Sequence, residues 1–150
     1  MKIAYINDQI FPNTETDCEQ IMQTVHTIGL NGTDITLVLP ARLNGKDTDV
    51  NELADFYQIE PSFSLEHAKS LFPSFRFLEK PAHAVVSVFS KTVKNCDCIY
   101  TRNLPTVITA LLFTKKPVVY ETYRNWPDQI FFMGWLFRRF NSSKRFLGAV

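Results

Sequence analysis

No stretch of this 150-residue chain reaches the roughly 18 consecutive apolar residues that a membrane span needs. Met1-Lys2 leads straight into strand-forming residues, without the charged start, apolar run and small-residue cleavage site of a signal peptide. An excess of one charge is also missing. With 16 Lys and Arg against 15 Asp and Glu the formal charge is +1, so no overall field recruits nucleic acid by counterion release, and nucleic acid is not an expected partner. Only three cysteines occur, Cys18, Cys96 and Cys98, an odd set without paired spacing. That excludes a disulfide scaffold and fits a reducing compartment, the cytoplasm. Neither G-x-G-x-x-G nor G-x-x-x-x-G-K-[ST] is found, which removes the dinucleotide fingerprint and the P-loop. There is no internal repeat, low-complexity tract or long linker.

The residues that are there describe an ordinary globular core. The chain is 45% apolar and 21% charged, with 13 Phe, and its length suits one domain. Ile3-Ala4-Tyr5-Ile6 reads as a first strand, followed by a loop and then by Thr16-Asp17-Cys18-Glu19, which has the spacing of a capping box. Cys18, Ile21, Met22, Val25 and Ile28 keep helical spacing, with a stop at Gly29 and Asn31-Gly32. Ile35 to Leu39 is too short and too β-branched for a helix, so it reads as the second strand of a βαβ unit, closed by Pro40. A short helix is expected over Val50 to Ile59 and a strand at Phe63 to Glu66, while Ala68 to Lys80, with Pro73 inside it and Pro81 after it, is expected to be irregular. Ala82, Val85, Val86, Phe89 and Val93 predict one further helix that stops at Asn95.

Cys98 to Thr101 reads as the fourth strand. Pro105 then stands where a first helical residue would, with Asn103 in range to cap. An apolar helix over Val107 to Phe113, a fifth strand over Pro117 to Tyr120, a last helix over Asp128 to Phe140 and a strand-like run over Phe146 to Val150 follow. Because the chain stops inside that run, it is expected to be the front part of a longer protein. Alternating strands and helices of these lengths predict a doubly wound, mostly parallel α/β sheet in three layers, Rossmann-like, ordered 3-2-1-4-5 plus a further strand. The crevice then lies between the ends of strands one and four, whose connections leave on opposite faces.

Polar clusters mark that edge. Strand one runs into Asn7-Asp8, strand four into Arg102-Asn103, and strand five into Glu121-Thr122-Tyr123-Arg124. Two roles are open to Arg102, bidentate recognition of a phosphate or carboxylate and a salt bridge to Glu121. Glu121 is in turn a candidate acceptor for sugar hydroxyls, a base, or the residue that orients Arg102 or Arg124. The loop from Asn7 to Thr16, with Asn13, Thr14 and Thr16, either meets an anion at the helix start or simply caps it. Asp8 without an aspartate ending the third strand of the sheet excludes a phosphorelay receiver. His26, His67 and His83 are scattered, with no nucleophile elbow beside them, and read as structural or surface histidines. Cys96 and Cys98 would point alike on a strand edge and, with His83, could hold a metal, although buried free thiols are the simpler reading.

The run from Asp97 to Asn103, a short apolar helix, and then Lys116 to Arg124 resembles the middle of the N-terminal domain of family-4 retaining glycosyltransferases. Ile28 to Pro40 is similar to that family's first helix end and second strand, and Leu147 to Val150 to the strand that follows. The resemblance implies a GT-B enzyme in which this domain binds mainly the acceptor and a second domain binds mainly the nucleotide-sugar donor. It implies no required metal and no cofactor, and an isolated chain that is inactive because the donor-side acidic pair belongs to the second domain. With the strand-end clusters and first loop forming the crevice, substrate binding is expected at Asn7, Asp8, Asn13, Thr14, Arg102, Asn103, Glu121, Tyr123 and Arg124, and no catalytic residue is assigned. Two features depart from the family. The first loop reads Pro12-Asn13-Thr14-Glu15-Thr16 where Gly-Gly is frequent, and Tyr123 stands where a histidine is frequent. The expected partners are a nucleotide-sugar and a glycan or lipid acceptor. The Ile130 to Phe140 helix either lies peripherally on an anionic membrane or is buried against a later segment. The alternative to an enzyme is a non-catalytic α/β module that binds a partner or ligand through the same edge.

Overall fold

The computed structural model describes residues 1–41, 47–69, 71, 76–121, 138 and 146–149. In chain order the elements are β1 (Lys2–Ile6), α1 (Thr16–Leu30), β2 (Asp34–Pro40), α2 (Val50–Tyr57), β3 (Ser64–Ala68), α3 (Arg76–Val88), α4 (Lys91–Asn95), β4 (Cys98–Thr101), α5 (Leu104–Phe113), β5 (Val118–Glu121) and β6 (Phe146–Ala149). The six strands form one sheet ordered β3-β2-β1-β4-β5-β6, every pair parallel. This is the Rossmann-like order that the alternation of strand and helix patterns predicts.

Side-chain alternation along β1 divides the core in two. Ile3 and Tyr5 face α1 and α2, where they pack with Met22, Val25, Leu37 and Leu53. Ala4 and Ile6 face the other layer, with Val88, Val93, Ile99, Val107 and Ala110 from α3, α4, β4 and α5. Each fully buried Leu or Ile of these layers stabilises the fold by roughly 1.5–3 kcal/mol. The connection leaving β1 therefore runs over one face and the connection leaving β4 over the other, which opens the sheet's crevice between these two strands.

Several local expectations are corrected. The capping box at Thr16 and Glu19 does not form, because the N-cap of α1 is Glu15, and it makes no side-chain cap bond. The loop is anchored one step earlier, where Asn13 Oδ1 accepts from the Glu15 amide at 3.1 Å. α2 stops at Tyr57 rather than Ile59, since Gln58 takes a left-handed conformation at φ 53°. β3 runs two residues further than expected, to Ala68.

The stretch read as irregular up to Lys80 contains the start of α3, which carries Pro81 inside it. Packing of Val88, with Val86 beside it, into the core layer on this side of the sheet overrides the proline signal. The single helix expected over Ala82 to Val93 is two, because Ser90 breaks it and caps α4 by accepting from the Val93 amide. The buried side is only in part the expected one, with Ala82 and Val93 buried and Val86 half-buried. His83, Ala84, Ser87 and Val88 are buried, whereas Val85 and Phe89 are exposed.

Close approach between α1 and the segment before β3 depends on one glycine. A Cβ at Gly29 would lie 2.0 Å from the carbonyl oxygen of Ser62, inside any permitted contact. Beside it, Ser62 Oγ donates to the His26 carbonyl and receives a hydrogen bond from His26 Nδ1, both at 3.0 Å. The expected helix over 128–140 lies, but for Arg138, outside the described residues, as do Tyr123 and Arg124.

Candidate functional site

The carboxyl ends of β1, β4 and β5 are adjacent, as their registers require. Ile6 lies opposite Thr101, and Thr101 lies opposite Tyr120. Thr101 locks the first pair further, its hydroxyl donating to the Ile6 carbonyl at 2.8 Å and accepting from the Asn103 amide at 3.0 Å. The polar residues that follow these strands thus start from neighbouring points, and alternation then sends them to different layers.

On the α1 side, Arg102 donates through Nη2 to Glu121 Oε1 at 2.5 Å. Their side chains are 10% and 22% exposed, so the pair is shielded from most screening water. Tyr100 donates its hydroxyl to the other carboxylate oxygen of Glu121 at 3.1 Å, and Arg102 Nη1 reaches Gln20 Oε1 of α1 at 3.5 Å. Tyr100 also stacks on Tyr5, its register partner, at a centroid distance of 4.9 Å. Of the roles open to Arg102 and Glu121, the salt bridge is the one the fold forms. Gln20 and Tyr100 were not anticipated. Tyr100 had a readable signal, because it stands two residues before Arg102 and therefore on the same strand face.

On the α3 side, Asp8 pairs with Lys80 at 3.5 Å. Asn7 is buried, its amide donating to the Val38 carbonyl at 3.1 Å and its Oδ1 accepting from the Gln9 amide at 2.8 Å. Its carbonyl accepts from Nε2 of His83 at 2.8 Å. Since that carbonyl can only accept, Nε2 carries the proton and Nδ1 is left to accept from the Ser87 hydroxyl at 3.3 Å. Burial pushes the His83 pKa below its ordinary 6.5, outweighing the Asn7 carbonyl, Asp8 and Glu79, which favour the charged ring. Lys80 falls in the stretch expected to be irregular, and His83, although inside the expected helix, was read as a structural or surface residue and not as a member of this edge.

The first loop is clamped rather than open. The hydroxyl of Tyr57 accepts from the Asn13 amide at 2.9 Å and donates to the Asn13 carbonyl at 2.7 Å, while Thr48 donates to the Phe11 carbonyl at 3.0 Å. Thr14 is exposed at the turn. Cys18, below the loop, donates its thiol to Gln9 Oε1 at 2.6 Å, and burial together with Glu15 and Asp17 pushes its pKa up to about 11. It is a protonated structural thiol and not a nucleophile.

Asn103 does occupy the N-cap of α5, yet its side chain makes no cap bond there. The metal arrangement considered for His83, Cys96 and Cys98 is not assembled. Cys96 lies outside β4 at the end of α4, its thiol donating to the Val93 carbonyl, and His83 is committed to Asn7. Among the described residues, no group of three His, Cys, Asp or Glu could hold a metal ion. Two concavities, of about 380 and 640 Å³, open at the amino-terminal edge, the first along Asp34, Glu66 and Lys91 and the second between Phe89 and Phe113. Neither touches the carboxyl edge, where open α/β sheets bind ligands.

Fold and site geometry together define a single Rossmann-like parallel α/β domain, an architecture compatible with nucleotide binding. No protein-family model matches the chain, and no curated protein is significantly similar to it.

Proposed function

We propose that this chain is the acceptor-side domain of a retaining glycosyltransferase of the GT-B type, working with a separate donor-binding domain that holds the nucleotide-sugar. One observation carries the reading. The arginine and glutamate that the family resemblance picks out, Arg102 and Glu121, meet at 2.5 Å at the ends of β4 and β5, beside the point where the sheet reverses its winding. The strand order and the position of Asn7, Asp8 and Asn103 on the same edge support it. In this reading the edge receives a glycan or lipid acceptor, with Glu121 and Asn103 offering polar contacts to its hydroxyls and Arg102 fixing Glu121.

A binding module without catalysis is favoured by a different observation. Arg102, Glu121 and Tyr100 satisfy one another, and neither Cys18 nor His83 is placed to attack a substrate. The two readings separate in one assay. The protein, together with a donor-binding domain, is incubated with nucleotide-sugars and glycan or lipid acceptors, and the products are followed by NMR for the configuration of the new linkage. Transfer with retention is the expected outcome. An intact, folded protein that neither transfers nor hydrolyses any donor overturns the enzymatic reading.

A further inference from the structure

The first turn of α5 contains two polar side-chain atoms that the fold buries and leaves unsatisfied. Asn103 Nδ2 and Thr106 Oγ1 have no hydrogen-bond partner among the described residues. Thr106 is only 1% exposed, so bulk water does not solvate its hydroxyl freely. The threonines in this helix's interior and at its C-cap behave differently. Thr109 donates to the Pro105 carbonyl at 2.8 Å and Thr114 to the Ala110 carbonyl at 2.7 Å, each one turn back. Thr106 has no such carbonyl, because the residue four back is Arg102, which precedes the N-cap.

The two atoms belong to one place. Asn103 and Thr106 are three residues apart and share a side of the helix. Because Cα–Cβ bonds tilt toward a helix's N-terminus, the Thr106 hydroxyl is carried over the first turn toward Asn103. The main chain adds further donors there. The Asn103 amide is taken by Thr101 and Pro105 has no N–H, which leaves the N–H groups of Leu104 and Thr106 without an intrahelical acceptor. The helix, ten residues long, directs the positive end of its dipole at the same point.

We propose that the N-terminus of α5 is an oxyanion subsite that receives a phosphoryl group, held by Asn103 Nδ2, the Thr106 hydroxyl and the first-turn N–H groups. A phosphoryl group suits a site made of donors, since its oxygens accept in several directions. Arg102, one residue earlier, is engaged by Glu121, so the site works through neutral donors and the dipole. The inference goes beyond the glycosyltransferase reading, because it requires neither a sugar nor a second domain.

The test is a titration of ¹⁵N-labelled protein with inorganic phosphate at constant ionic strength, read in the amide signals of Leu104 and Thr106 and the side-chain NH₂ of Asn103. Saturable shifts of these signals, absent with chloride, are expected. Thr106→Val should weaken phosphate binding about fivefold or more, the effect of losing one hydrogen bond, and should also raise the thermal midpoint by removing an unsatisfied buried hydroxyl. Asn103→Asp keeps an N-cap residue type but places a carboxylate in the site, and should abolish binding. A lower midpoint in Thr106→Val would show that the hydroxyl has a structural partner, and would overturn the proposal. So would unsaturable shifts, equal shifts with chloride, or a response to methyl glucoside and none to phosphate.

Discussion

Nε2 of His83 donates to the main-chain carbonyl of Asn7 at 2.8 Å, tying the middle of α3 to the carboxyl end of β1 across 76 residues of sequence. The charged ring could make the same bond, so it is burial, and not the bond, that keeps the ring neutral. His83 therefore gives the edge of the sheet a built-in dependence on pH.

The sign of that dependence follows from the direction of the shift. The folded pKa lies below 6.5, so the unfolded chain binds the proton more readily as pH falls through that value. Stability contributed by neutral His83 is fully present above the unfolded pKa and is lost on acidification below about 6.5, at up to about 1.4 kcal/mol per pH unit. Urea unfolding between pH 7 and pH 5 measures it. His83→Gln, which retains a donor but does not titrate, should flatten the slope over this range even if it lowers stability overall.

Gly29→Ala opposes two effects of different size. Alanine improves helix propensity by about 1 kcal/mol in a helix interior. Its Cβ would stand 2.0 Å from the Ser62 carbonyl oxygen, which is backbone and cannot rotate away. The clash wins, and a net loss of about 1–3 kcal/mol is expected in denaturant unfolding, the range found for overpacked sites. Amide exchange of Ser62 and its neighbours should quicken as α1 and the β3 approach are pushed apart.

Tyr57→Phe keeps the ring against Phe11 but removes the hydroxyl that holds both backbone groups of Asn13. Two hydrogen bonds of about 1 kcal/mol each are lost. The expected result is a destabilisation of about 1–2 kcal/mol and faster exchange of the Asn13 amide, with exchange in β4 unchanged. Uniformly faster exchange over the sheet would show that the loop is no separate unit.

The sheet was legible because its signals are local and mutually consistent. Ile35 to Leu39 is too short and too β-branched for anything but a strand, and the alternation of elements leaves few topologies. Only the second half of α3 was legible, for two physical reasons. Pro81 signals a break that tertiary packing overrides, and the apolar periodicity selects Val85 and Phe89, which the fold exposes, while His83 and Ser87 are buried. A face that mixes His83 and Ser87 with Ala84 and Val88 leaves only a weak hydrophobic trace in the sequence. The α5 start illustrates the opposite case. Asn103 was rightly placed at the cap from Pro105, but whether its side chain caps is decided by geometry that spacing does not encode.

The Arg102 and Glu121 pair offers the sharpest test of the edge, because removing one partner leaves the other mostly buried. Arg102→Met removes the guanidinium donor from the Glu121 carboxylate and leaves it the Tyr100 hydroxyl, and Glu121→Gln takes the carboxylate charge from beside the guanidinium. Each single change should cost about 1.5–3 kcal/mol, the range for hydrogen bonds to charged groups. The double variant should cost clearly less than their sum, with a coupling of more than about 1 kcal/mol, above what exposed pairs show. A coupling near zero in urea unfolding would mean that water already screens the pair, and that the ends of β4 and β5 are less enclosed than their exposures of 10% and 22% indicate. The same cycle bears on ligand binding, since an acceptor that takes hydrogen bonds from Arg102 must compete with Glu121. In the presence of a saturating acceptor the coupling should therefore fall.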